Sequence, residues 1–275
     1  MNILRQLAYK HRWIKRIITD YLPEIDSIYL KKTNQYLFFS AKDLIGPSFH
    51  LSFGKDDGFQ NYEEADKDYV VNYLKKNPGL FIDIGANIGL FSFYVLNKLQ
   101  NQSVFAFEPE PQAFKCLELS KSRNNFESFI PFNFAIGEKV EKIQFFLDTK
   151  NFGGHHLHRL KNDEKTIEVS VSPLSKFIVD QKISAIKIDV EGAELTVLKS
   201  MLDIIEAHKP LLVVECINED LGKRGPLYDL LSSLKGIRCL SLKLNRYVSI
   251  SEIAEVALKQ YEGKHFHDNY FFVFE

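Results

Sequence analysis

Apolar positions along this chain switch between a period near two and a period near 3.6, and each switch marks an element. Residues 27–30 and 35–39 are short apolar, aromatic-rich runs on either side of Lys31-Lys32-Thr33-Asn34, which predicts a β-hairpin with a polar turn. From 64 to 76, Tyr69, Val70, Tyr73 and Leu74 recur at helical spacing, and Asn77-Pro78-Gly79 closes that helix and feeds a strand at 81–84. Glycines at 85 and 89 make a turn, and Leu90, Phe93 and Tyr94 open the next helix. The alternation continues with a strand at 104–107, then a helix from Pro111 to about 123 ended by Asn124-Asn125, with proline suited to the first helical turn. A third strand is predicted at 129–135, and 142–147 and 166–171 alternate like strands with one wet face. A short helix at 174–181, a fourth strand at 186–189, a helix from 192 to 201 and a fifth strand at 210–215 come next, and segments at 237–242 and 270–274 close the sheet. The unbroken apolar run at 211–214 suits a parallel strand covered on both faces.

Strands alternating with helices give an α/β fold, and in such a sheet ligands bind beyond the carboxyl ends of the strands. Asp83, Glu108, Asn133, Asp189 and Glu215 all fall at such ends. The turn Gly85-Ala86-Asn87-Ile88-Gly89 is predicted to cradle a nucleotide-type cofactor, its small residues allowing close approach and its free N–H groups holding an anion. A dinucleotide turn would carry Gly-x-Gly-x-x-Gly, with its second glycine clearing room for a pyrophosphate. Here that position is Asn87, which disfavours NAD and leaves an oxidoreductase as the rival reading. Glu108 is placed to accept from both hydroxyls of a ribose.

Three ordered stretches, Asp83-Ile-Gly-Ala-Asn-Ile-Gly, Phe107-Glu108-Pro109 and Lys187-Ile-Asp-Val-Glu-Gly-Ala-Glu, resemble the FkbM-type family of S-adenosylmethionine-dependent methyltransferases, from about Tyr62 to the C-terminus. The resemblance implies a Rossmann-like class I methyltransferase fold, a seven-stranded mostly parallel sheet with an antiparallel last strand and helices on both faces. Residues 1–60 are expected to form an N-terminal helix and β-hairpin extension, and 61–275 the methyltransferase domain. On this reading Gly85, Ala86 and Asn87, with Asp83 and Gly89, serve the methionine half of S-adenosylmethionine. Glu108 serves the ribose, and the resemblance places Asn133 and Ala135 beside the adenine; Tyr62-Glu63 resembles a short family motif ahead of the first strand, which brings Glu63 into the cofactor set. The implied activity is O-methylation of a sugar, glycan or related metabolite.

A hydroxyl acceptor must lose its proton, and the candidate bases are Asp189, Glu191, His155 and His156. Asp189 and Glu191 would project to one side if strand conformation ran through both. A divalent ion on His155, His156, Asp189, Glu191 and Glu215 is the alternative way to acidify the hydroxyl, although their spacing matches no metal motif. A non-catalytic binding module is the remaining rival, and intact glycines and acids argue against it.

Net charge −1 leaves no basic field for nucleic acid. Three scattered cysteines give neither a disulfide framework nor a zinc spacing, so the expected setting is reducing and cytoplasmic. No apolar run approaches the roughly 18–20 residues of a spanning helix. Residues 1–22 carry an apolar stripe beside Arg5, Lys10, Arg12, Lys15 and Arg16, which fits docking on the domain, a homodimer contact or a membrane-surface helix.

Overall fold

The computed structural model describes residues 23–31, 33–42, 63–147, 165–217, 221–241, 246–261 and 267–275. The apolar stripe of residues 1–22 lies outside them. The hairpin forms around its polar turn: β1 (Ile25–Leu30) and β2 (Gln35–Ser40) pair antiparallel, from Ile25↔Ser40 to Leu30↔Gln35. Asn34 supplies the left-handed residue that the turn needs, at φ 52°.

The alternating core begins with α1 (Glu64–Lys76), β3 (Leu80–Ile84), α2 (Leu90–Lys98), β4 (Val104–Phe107), α3 (Pro111–Asn124) and β5 (Phe129–Phe132). At the start of α3 the Glu110 carboxylate accepts from Ala113 N–H at 2.6 Å, and Asn125 ends the helix at φ 55°. Next come β6 (Ala135–Ile136), β7 (Glu141–Leu147), β8 (Lys165–Ser172), β9 (Ile183–Ile188), α4 (Glu194–Ser200), α5 (Leu202–His208) and β10 (Leu211–Ile217). The chain closes with α6 (Pro226–Ser233), β11 (Ile237–Ser241), β12 (Arg246–Val248), α7 (Ile250–Tyr261) and β13 (His267–Phe274).

The main sheet has the order β12-β11-β13-β10-β9-β3-β4-β5. Strands β5, β4, β3, β9 and β10 are parallel neighbours, and β13 inserts antiparallel between β10 and β11. The fold is therefore the expected α/β, Rossmann-like class with an antiparallel C-terminal strand. Among the described residues it has eight strands rather than seven, because β12 pairs antiparallel with the outer side of β11. Side chains alternate between two cores: Leu80, Ile82 and Ile84 face Val197, Leu198, Leu227 and Ile253, whereas Phe81 faces Val70, Leu74, Phe93 and Leu117. Helices thus cover both faces. No helix of the described residues is long and apolar enough to cross a membrane.

Three elements differ from expectation. The third strand leaves the main sheet after Phe132, where the Asn133 amide donates to the Glu108 and Pro109 carbonyls at 2.8 and 3.0 Å; Ala135 then begins a separate sheet of order β6-β8-β7. The helix expected over 174–181 is a single 3-10 turn, Leu174–Lys176, with Asp180 beyond it at φ 44°. The helix expected from 192 starts at Glu194, and Met201 at φ −128° divides the helical stretch into α4 and α5.

The hairpin docks along α3. Tyr36 N–H donates to Asn124 Oδ1 at 2.7 Å, Asn124 Nδ2 returns a bond to the Tyr36 carbonyl at 2.6 Å, and Phe38 N–H donates to Ser120 Oγ at 2.9 Å. One edge of β2 is thereby satisfied by helix side chains, and Leu37 and Phe39 join the core shared by α1, α2 and α3.

Candidate active site

Because β4, β3, β9 and β10 are parallel neighbours, the acids that end them share one edge of the sheet. In the turn from β3 to α2, Asp83 is fully buried; Ser92 Oγ donates to its Oδ2 at 2.6 Å, and its Oδ1 has no hydrogen-bond partner among the described residues. Burial raises its carboxyl, against Lys187 and Ser92, which lower it.

The turn itself is closed by its own bonds. Gly85 and Ala86 N–H groups donate to the Phe107 carbonyl at 2.9 and 3.0 Å, Asn87 N–H to Glu108 Oε2 at 2.8 Å, Ile88 N–H to Asn87 Oδ1 at 2.8 Å, and Gly89 N–H to the Ala86 carbonyl at 2.8 Å. The free N–H groups expected for an anion are therefore already taken. A Cβ on Gly85 would sit 1.8 Å from the Asp189 carbonyl oxygen, and one on Gly89 would meet Phe93 and Leu117 at 2.5 and 2.6 Å. The space expected for a ligand at these two glycines is filled by the chain.

Glu108 is where the geometry fits a nucleoside. It is buried, its Oε2 accepts from Asn87 N–H and its Oε1 from Glu110 N–H at 2.8 Å. Each oxygen keeps further acceptor capacity, a match for the two hydroxyls of a ribose. Burial pushes its carboxyl up to about 8 against those two N–H bonds. Asn133 braces the same segment through the Glu108 carbonyl, and Ala135 opens β6 beyond it.

The end of β9 gathers the remaining charge. Lys187 is buried, its Nζ lies 2.7 Å from Asp189 Oδ2 and 5.5 Å from the centre of the Phe91 ring. Burial alone would lower Lys187; the Asp189, Asp83 and Glu63 carboxylates outweigh it and raise the amine. Glu63, left-handed at φ 51° just ahead of α1, is raised by burial and feels both Lys187 and Asp189. Glu215 is raised first by burial and then by the Asp189 carboxyl beside it. The sequence reading missed Lys187 as the hub. Its signal was a lone cation between Ile186 and Ile188 in an otherwise apolar strand, where an unpaired lysine is almost never found.

Strand conformation ends at Ile188, and Glu191 and Gly192 turn at φ 50° and 93°. The continuous strand expected to aim Asp189 and Glu191 together is thus replaced by a turn whose Gly192 N–H is held by Glu194 Oε1 at 2.9 Å. Glu191 keeps much of its surface in water yet is pushed up to about 7, first by desolvation and then by the Asp189 and Glu194 carboxylates. His155 and His156 lie outside the described residues. Among the described residues no set of three His, Cys, Asp or Glu side chains could hold a metal ion.

Residues 83–234, which contain this whole constellation except Glu63, match the Methyltransferase FkbM domain. The chain belongs to the FkbM methyltransferase family. Residues 83–234 are thus a methyltransferase domain of the FkbM type. Among its relatives, the chain is 24% identical to Methyltransferase 1 of Beauveria bassiana over 149 residues, which cover 46% of this chain and 60% of that protein. It is 26% identical to the 31-O-demethyl-FK506 methyltransferase FkbM of Streptomyces tacrolimicus over 220 residues, 68% of this chain and 83% of that one. It is 28% identical to the hexuronic acid methyltransferase AglP of Haloferax volcanii over 151 residues, 55% of this chain and 57% of that one. The first and last of these matches therefore span well under two thirds of the relative's length.

Proposed function

We propose that this FkbM domain transfers the methyl group of S-adenosylmethionine to a hydroxyl of a sugar, glycan or related metabolite. The observation that carries the reading is Glu108, a buried carboxylate held by two backbone amides with acceptor capacity left for a vicinal diol. The names of two relatives support oxygen and a sugar acid as acceptors: one is an O-demethyl-FK506 methyltransferase, the other a hexuronic acid methyltransferase.

S-adenosylmethionine supplies an electrophilic methyl on a positively charged sulfur. The chain's own residues hold, align and deprotonate. Glu108 would receive the ribose hydroxyls, Asn133 and Ala135 would lie by the adenine, and Asp83, Gly85, Ala86, Asn87 and Gly89, with Glu63, would hold the methionine half. Alignment of two reactants is worth ~7–11 kcal/mol.

Among the acids, Asp189 is tied to Lys187 at 2.7 Å, and that buried cation holds its charge and makes it a poor base. Glu191, pushed up to about 7, is better matched to accept a hydroxyl proton near neutrality. His155 and His156, outside the described residues, stand as the alternative bases.

Calorimetric titration of the wild type and Glu108→Ala with S-adenosylhomocysteine and, separately, NADH tests the cofactor. Micromolar binding of the first alone, weakened by the substitution, is the expected result; NADH binding overturns it. Turnover on a panel of sugar and polyketide hydroxyls tests the acceptor, and Glu191→Gln is expected to lower kcat about 10²-fold with unchanged S-adenosylhomocysteine affinity. Near-native turnover of that folded variant would remove Glu191 as the base.

A further inference from the structure

A polar cavity lies at the end of the helices away from the strand-end acids. It has a volume of about 800 Å³ and is lined by the hairpin turn and by the C-terminal ends of α2 and α3. Those helices start at the strand carboxyl ends, and the nine residues of α2 span roughly 13 Å at 1.5 Å per residue, so the cavity opens away from the strand-end acids.

Two observations mark it as a built site. Thr33 and Gln35 both line it, are 8% and 4% exposed, and leave Thr33 Oγ1 and Gln35 Oε1 without a hydrogen-bond partner among the described residues. A buried polar atom left unpaired costs ~1–3 kcal/mol, and two at one cavity call for a ligand that brings donors. Beside them stands an aromatic wall: the Tyr29 and Tyr36 rings lie 5.1 Å apart at 51°, and the Arg123 guanidinium covers Tyr36 at 4.4 Å from its centre. The turn is tied in place, with Asn97 Nδ2 donating to the Thr33 carbonyl.

We infer that this cavity is a saccharide-binding subsite, separate from the methyl-transfer centre and independent of the acceptor assigned to it. A pyranose presents what the walls lack: a C–H face to lay on tyrosine rings and hydroxyl donors for Gln35 Oε1 and Thr33 Oγ1. A phosphate-bearing ligand fits less well, because the orphaned carboxamide oxygen accepts and would face another acceptor.

The test is saturation-transfer NMR on the full chain with methyl α-glucopyranoside and with adenosine, in the presence of excess S-adenosylhomocysteine. Millimolar binding of the glycoside is expected, weakened by about tenfold or more in Thr33→Val/Gln35→Leu and also in the exposed Arg123→Ala. The double variant should melt at a higher temperature than wild type, since it removes two unpaired buried groups. That rise separates lost binding from lost folding. Absence of glycoside binding, binding unchanged in both variants, or binding of adenosine in its place overturns the assignment.

Discussion

Two turns lie side by side at the site, and they solve opposite problems. Residues 85–89 and residues 189–193 both carry the chain from a strand-end acid into a helix, and both use left-handed residues to do it: Gly85, Asn87 and Gly89 in one, Glu191 and Gly192 in the other. In the first, each N–H from Gly85 to Gly89 has an acceptor within the chain, and the acid at its root is fully buried. In the second, Gly192 has open space around it and Glu191 faces water. They lie against each other at Gly85, where a Cβ would meet the Asp189 carbonyl and Val190 Cγ1. The closed turn is a fixed wall that positions Glu108, and the open turn keeps a titratable carboxylate within reach of a substrate.

The most severe way to break this arrangement is at the point of contact. Gly85→Ala places a methyl 1.8 Å from a backbone oxygen and imposes a side chain at φ 79°. Neither atom can yield without moving β3 or β9, so overpacking and backbone strain combine to cost on the order of 4 kcal/mol. Urea denaturation should register it as a large fall in midpoint. A loss under about 1 kcal/mol would mean the two turns are not in contact.

Next in size is Lys187→Met. It removes the cation that Asp83, Asp189 and Glu63 share and leaves buried acid unbalanced. Breaking a buried pair costs ~3–5 kcal/mol, and because the Asp189 side chain is 30% exposed, about 3 kcal/mol is expected. The loss should shrink at low pH, where the acids protonate and no longer need a partner. Equal loss at pH 5 and pH 8 would assign Lys187 a packing role only.

A smaller effect tests whether the closed turn exists to hold Glu108. Glu108→Gln keeps the shape but puts an NH₂ donor where a carboxyl oxygen would accept from the diol, worth about 2 kcal/mol or roughly thirtyfold in S-adenosylhomocysteine affinity. The same residue sets a pH dependence. Folded Glu108 titrates near 8 and Glu191 near 7, while an unperturbed glutamate titrates at 4.5. Between those values the folded protein holds protons that the unfolded chain has released, so stability falls as pH rises from about 5 to 8. Melting temperature against pH should show this slope, flatter in Glu108→Gln. A rising melting temperature across that window would contradict the burial of Glu108.

The same contrast explains what could be read from residues alone. The hairpin, α1, α3 and the parallel strands were legible because period, turn residues and caps all agreed, as at Asn34, Pro111 and Asn125. Glu108 was legible as a strand-end acid in a familiar motif. The illegible features depended on contacts between distant segments: the Asp189 carbonyl against Gly85, the Phe107 carbonyl taking two amides, and Asn133 pulling the chain out of the sheet. Glycine in a motif says that a side chain is excluded, not what excludes it. β12 escaped because three residues pairing with an edge strand carry too short a pattern to register.

The mildest substitution sharpens the comparison most. Gly192→Ala also imposes a side chain at a left-handed angle, φ 93°, but its Cβ would meet nothing within 4 Å. Only the conformational cost remains, about 1 kcal/mol, which for a chain of this size is a fall of roughly 2–4 °C in melting temperature. The Gly192 N–H bond to Glu194 involves no Cβ and should survive, so Glu191 stays in place and S-adenosylhomocysteine affinity is expected to be unchanged. Set against Gly85→Ala, the pair isolates one variable, because both glycines are left-handed and only one is crowded. A collapse of the Gly192 variant comparable to that of Gly85 would show that the second turn is as closed as the first, and the carboxylate it carries would then be a wall and not a base.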